Sequence, residues 1–114
     1  MIKAWTILKK IEQLSKVNED EIEEISAYIA DDVRNKLYTL DQVRDIITIF
    51  SNLDLTSMRY KTREQILYTI SEIVYTYQIK ELCDLEKILK LRDYLEDDLK
   101  QYVDEMINLY DGLD

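Results

Sequence analysis

The near absence of proline and glycine constrains the fold of this chain more than any other feature of its sequence. Its 114 residues include no proline and a single glycine, Gly112. The tight turns of β-hairpins depend on glycine, asparagine and proline, because these residues adopt or fix the backbone angles that such turns need. Apolar and charged residues make up most of the remainder, and both are typical of packed α-helices. We therefore expect an all-α fold.

Length and composition predict one globular domain that covers residues 1–114. The chain is 46% hydrophobic and 34% charged, which distinguishes it from disordered and from membrane-spanning sequences. Lys3, Lys9 and Lys10 interrupt the first apolar stretch, so we expect no signal peptide. The lone cysteine, Cys83, cannot form a disulfide within the chain, which suits a reducing compartment. We expect a cytoplasmic protein.

Helical periodicity and N-cap residues divide the chain into six predicted helices. Asn18 precedes an acidic first turn, and Thr39 and Thr62 each begin a capping-box pattern with a glutamine three residues later. Asp84 is a predicted cap for the fifth helix, and Gly112 is expected to end the sixth. The six predicted helices cover residues 2–15, 18–33, 39–50, 62–77, 84–91 and 96–110.

Taken in order, the six predicted helices form three antiparallel hairpins of about 40 residues each. The second helices of the hairpins share a faint similarity at residues 25–29, 70–74 and 103–107. This repetition favours a short HEAT-like stack of helix pairs. The alternative is an irregular helical bundle, because any amphipathic helices would align about this well.

The composition excludes most kinds of catalytic site. The chain has no histidine, so it lacks both a neutral-pH imidazole base and a common metal ligand. A single glycine cannot form a phosphate-binding loop. Cys83 has no imidazole partner and is interpreted as a buried structural thiol. Acid pairs such as those at residues 31–32 and 97–98 lack the spacing of a dedicated cation site. We expect a protein that is not an enzyme and has no cofactor.

The charge of the chain indicates the kind of partner it binds. The formal net charge is −9, and the acidic residues are concentrated in residues 19–32 and 93–114. Proteins that bind DNA or RNA directly need a basic face, so direct nucleic-acid binding is not expected. An acidic surface instead favours a basic protein partner.

The first predicted helix allows a second interpretation. Trp5, Leu8 and Ile11 lie on one side of it and its lysines lie elsewhere, a pattern with which a helix can bind an anionic membrane. We favour a first core helix whose lysines face water, and we expect no membrane partner.

A candidate binding surface lies opposite the apolar face on the second helix of each hairpin. Tyrosine is enriched at protein interfaces, and the chain has nine tyrosines but one phenylalanine. If the hairpins stack in parallel, the acidic stripes of these helices become neighbours, with Tyr68 and Tyr75 near the middle. The alternative is that another helix covers these two tyrosines. The predicted partner-binding residues are Glu64, Tyr68, Glu72, Tyr75, Asp97, Gln101, Asp104 and Glu105.

Two stretches carry a family resemblance, namely YKTREQILY at residues 60–68 and DLKQYVDE at residues 98–105. With the small, acidic and helical plan of the chain, they resemble the helical immunity proteins of bacterial polymorphic and contact-dependent toxin systems. The resemblance implies binding of a cognate toxin domain, often a basic nuclease, and occlusion of its active site. It transfers no contact residue, because interfaces vary within these families.

The expected function is therefore stoichiometric neutralisation of a cationic toxin in the cytosol. One alternative is a phage or mobile-element nucleic-acid mimic, or a helical regulatory adaptor. Another is a homo-oligomer that buries the face of Tyr68 and Tyr75 against a second copy.

Overall fold

The computed structural model describes Thr6, residues 18–79 and residues 82–113, without the side chains of residues 82–84 and 109–113. These residues form five α-helices and two short 3₁₀ helices, with no strand among them, so the all-α prediction is confirmed. Apart from Thr6, the helix predicted for residues 2–15, with its membrane alternative, lies outside the described residues. The α-helices are α1 (Glu19–Arg34), α2 (Leu40–Ser51), α3 (Tyr60–Tyr77), α4 (Leu82–Lys90) and α5 (Asp97–Leu113), and the 3₁₀ helices are Leu55–Ser57 and Arg92–Tyr94.

Two helices begin at the caps that the sequence predicts. The Asn18 side chain accepts a hydrogen bond from the backbone N–H of Glu21 at 3.1 Å, at the start of α1. Thr39 and Gln42 form a reciprocal capping box at the start of α2, with bonds of 2.9 and 3.1 Å. Both caps satisfy N–H groups that have no partner within the helix.

Three predicted helix ends are wrong. Thr62 does not cap α3, which begins two residues earlier at Tyr60; the Thr62 hydroxyl is buried and donates to the Glu23 carboxylate at 2.6 Å. The helix predicted to follow a cap at Asp84 begins at Leu82 instead. Gly112 does not end α5, which continues to Leu113. In the case of Thr62, a partner from a distant helix replaces the local cap, and no local pattern shows that partner.

The chain turns without glycine by placing two ordinary residues in the left-handed region. Lys36, after α1, has φ of 53°, and Gln78, directly after α3, has φ of 51°. Glycine usually occupies such positions because a side chain disfavours positive φ. The Gln78 N–H bonds to the carbonyl of Val74, which satisfies one of the last acceptors of α3. Tight helix connections are therefore possible despite the composition.

Helices α1, α3 and α5 lie side by side in one layer, with α3 in the middle, and α2 and α4 pack on each other in a second layer. The neighbours α1 and α3 run parallel. Thr62 hydrogen-bonds to Glu23 and Thr69 hydrogen-bonds to Ser26, so the bonded residues follow the same order along both helices. These three helices are the second members of the predicted hairpins. Their contacts follow the order expected for stacked helix pairs.

The same direction holds for α3 and α5. Arg63, near the start of α3, pairs with Glu96, directly before α5, and one turn further the ring of Tyr68 contacts that of Tyr102. The predicted apolar faces form the core between the layers. Its fully buried members include Ile22, Ile29, Val33, Val43, Phe50, Ile66, Ile70, Ile73, Leu99, Val103 and Met106. The predicted core side chain of Tyr110 lies outside the described residues.

One arginine links the beginnings of α1 and α3. The Arg59 guanidinium donates to Asp20 at 2.7 Å and to Glu23 at 2.6 Å, and the Arg59 backbone N–H donates to Glu19 at 2.7 Å. The hydrogen bond from Arg59 lowers the pKa of Asp20. Hydrogen bonds from Thr62 and from Arg59 lower the pKa of Glu23.

These pKa shifts predict a loss of stability in acid. A carboxylate whose pKa is lower in the folded state stabilises the fold above its unfolded pKa and loses this effect as the pH falls through its folded pKa. We expect the free energy of unfolding in urea to fall between about pH 6 and about pH 3, and to fall less in an Arg59→Met variant. Lys87→Met is the control, since Lys87 bonds to Asn52 and to no carboxylate among the described residues. Equal losses in both variants would contradict the prediction.

Candidate protein-binding surface

The exposed side of the layer formed by α1, α3 and α5 collects most of the predicted site residues. Residues four and seven positions apart share one side of a helix, so each helix contributes one stripe to it. We call this surface the outer face. It is formed by Glu24, Asp31 and Arg34 of α1, Glu64, Tyr68, Glu72 and Tyr75 of α3, and Gln101, Tyr102 and Glu105 of α5.

Tyr68 lies at the centre of the outer face and connects all three helices. Arg34 of α1 donates a hydrogen bond to the Tyr68 hydroxyl from one guanidinium nitrogen and to the Asp31 carboxylate from the other. On the other side, the Tyr68 ring packs edge-on against Tyr102 of α5, with ring centres 6.4 Å apart at 75°. Tyr68 is therefore partly buried and held in one orientation.

Neighbouring helices cover part of Tyr68 but leave Tyr75 exposed, so the alternative that both tyrosines are covered holds only in part. Tyr75, two turns further along α3, is 69% exposed. The outer face therefore has a fixed aromatic centre and an exposed aromatic edge.

A groove of about 510 Å³ runs between α3 and α5 beside Tyr75. Met106, which is fully buried, lies beneath the groove. Glu72 and Glu105 line the groove from opposite helices. The lining residues are Ser71, Glu72 and Tyr75 from α3 and Glu105, Met106 and Asn108 from α5. Three of the predicted site residues thus line one concave surface.

Three glutamates on the α3–α5 side of the outer face lack an ion-pair partner among the described residues. Glu64, Glu72 and Glu105 make no ion pair within the part of the chain that the structure describes. Burial raises the pKa of Tyr102, and the nearby carboxylates of Glu64 and Glu105 raise it further, because a phenolate there would be repelled. The α3–α5 side of the outer face is therefore negative.

Two predicted site residues lie outside the outer face. Arg92 binds the Asp104 carboxylate through two nitrogens at 2.6 and 3.2 Å, which lowers the pKa of Asp104. Asp97 is fully exposed at the start of α5, with an oxygen 3.6 Å from Lys100 Nζ. Both remain predictions as contact residues, but the helix packing separates them from the groove.

The sequence patterns missed Arg34 and Tyr102. Arg34 extends the α1 stripe by one turn beyond Asp31, and Tyr102 is adjacent to the predicted Gln101. A wider stripe would have included both residues. Their roles nevertheless depend on Tyr68 lying between them, and this follows from the packing of three helices rather than from one helix.

The described residues show no arrangement typical of a metal centre or of a membrane protein. No group of three or more histidine, cysteine, aspartate or glutamate residues among them is placed to hold a metal ion. None of the described helices is both long and apolar enough to cross a bilayer. The Cys83 side chain, predicted to be a buried thiol, lies outside the described part. Comparison with protein-family models, curated proteins and solved structures finds no match for this chain.

Proposed function

We propose that this chain is a non-catalytic immunity protein that neutralises a cationic toxin in the bacterial cytosol by stoichiometric binding. The observation that carries the proposal is the outer face, where three parallel helices present a fixed aromatic centre among glutamates that form no ion pair with any other described residue. Tyrosine supplies large contact area at low cost in side-chain entropy and is frequent at binding hot spots. Unpaired carboxylates attract and orient a basic partner.

The arrangement is also preorganised. Arg34 and Tyr102 hold Tyr68 from two sides, so its ring loses little rotamer freedom when a partner covers it. Glu64, Glu72 and Glu105 need not break an ion pair with another described residue before they bind a cation. Both features lower the free-energy cost of association.

A nuclease is the class of toxin that this surface fits best. Enzymes that cleave nucleic acids hold the phosphates of their substrate in a basic cleft. An acidic face can cover such a cleft and exclude the substrate without any chemistry of its own. The expected absence of catalytic residues and cofactors is compatible with this mode of action.

The test uses the chain as an affinity bait in its native bacterium. We expect it to retain one basic protein in a one-to-one complex, and we expect that protein to stop growth when it is expressed alone. Coexpression of the chain should restore growth, and a variant with Glu64, Glu72 and Glu105 all replaced by glutamine should restore it poorly. A captured partner that binds nucleic acid but is harmless would contradict the proposal and favour the nucleic-acid mimic. Capture of the chain itself alone would favour the homo-oligomer.

A further inference from the structure

We infer that the groove between α3 and α5 receives an arginine side chain of the partner, with the guanidinium between Glu72 and Glu105 and against the ring of Tyr75. The inference rests on the proposed function, because the arginine belongs to the basic protein that the proposed function requires as partner. It assigns the groove as the anchoring point of that contact.

The polar lining matches the donors of a guanidinium. Arginine has five N–H donors in a planar fork and pairs with carboxylates through two bonds at once. Glu72 and Glu105 offer two such acceptors from opposite helices, and Asn108 adds an amide oxygen. The Ser71 hydroxyl donates to the Tyr68 carbonyl at 2.8 Å, which leaves its oxygen lone pairs to accept a bond.

The apolar lining matches the rest of the arginine side chain. A guanidinium stacks on aromatic faces, and the Tyr75 ring is exposed beside the carboxylates. The methylene stem of arginine buries readily against apolar surface, which the exposed Tyr75 ring supplies. The groove volume of about 510 Å³ lies in the range of pockets that hold organic ligands.

Other occupants fit less well. Lysine is a compact, strongly hydrated charge with three donors, so it uses fewer of the acceptors and stacks less well. A divalent cation needs more oxygen ligands than two carboxylates provide, and no group of three acids among the described residues is placed to supply them. A second copy of this chain has a net charge of −9 and would bring like charges together.

The test is an NMR titration of the whole chain with a blocked alanine–arginine–alanine peptide. We expect shift changes at the amides of Glu72, Tyr75, Glu105 and Asn108. Replacing arginine by lysine should weaken binding about threefold. The citrulline peptide, which has the same shape but no charge, should cause no saturable change.

Matched variants locate the binding. Glu72→Gln and Glu105→Gln should each weaken arginine-peptide binding about fivefold, because each removes one carboxylate from the cation. Glu21→Gln, the same substitution at an exposed position of α1 outside the outer face, should leave the affinity unchanged. Equal affinity for the arginine and citrulline peptides, undetectable binding of the arginine peptide, or equal effects of all three variants would overturn the inference. None of these results bears on growth rescue by the whole protein, so failure of the inference and failure of the proposed function are distinguishable.

Discussion

Replacement of Glu72 by alanine should weaken binding of the proposed basic partner by about 2 kcal/mol, or about thirtyfold, without loss of the fold. Glu72 is partly exposed on the middle helix of the outer face, so a partner that covers this face removes its carboxylate from water. Truncation then leaves the opposing base of the partner buried with one carboxylate fewer to offset its desolvation. The measurement is the dissociation constant by calorimetry, with circular dichroism as the check on folding.

The matched control is Glu24→Ala, which removes the same side chain from α1 at the edge of the layer. A charge at the rim contributes to steering more than to affinity. We expect Glu24→Ala to lower the association rate at low salt and to change the dissociation rate little. Added salt should slow association of the unmodified chain, because screening shortens the reach of its charges. If Glu72→Ala and Glu24→Ala weakened binding equally, the interface would not be centred on α3.

Replacement of Ile70 by alanine should lower the free energy of unfolding by about 3 kcal/mol. Ile70 is fully buried on α3, which packs against α1 on one side and α5 on the other and also contacts α2. Deleting its side chain removes buried apolar area and leaves a cavity that several packed helices cannot readily close. The urea unfolding midpoint at constant slope measures the change.

Tyr75→Ala is the control for this prediction, since it truncates a larger side chain on the same helix. Tyr75 is mostly exposed, so its loss should change the free energy of unfolding by no more than about 0.5 kcal/mol. The contrast tests the position of α3 in the middle of the layer. Comparable destabilisation by the two variants would mean that the outer side of α3 is covered.

Local sequence patterns were sufficient to predict the helices, because the interactions that form helices are local. Asn18 and Thr39 cap α1 and α2 through bonds that span three residues, and a reader of the sequence sees both partners at once. The apolar faces follow from the helical repeat, which predicted the buried positions of α1 and α3. The acidic stripes on the opposite faces followed from the same repeat.

Interactions between elements were beyond these patterns, because they join residues that no spacing rule relates, 39 positions apart in one case and 12 in another. Thr62 had the pattern of a cap, yet its hydroxyl binds Glu23 of α1. Asp104 had the pattern of a free surface acid, yet Arg92 binds it. The sequence determined by itself that this protein is helical, acidic and rich in tyrosine. Only the tertiary structure, in which α3 packs between α1 and α5, decided that Glu72 and Glu105 share a groove. A surface shared by two helices exists only once the helices lie side by side.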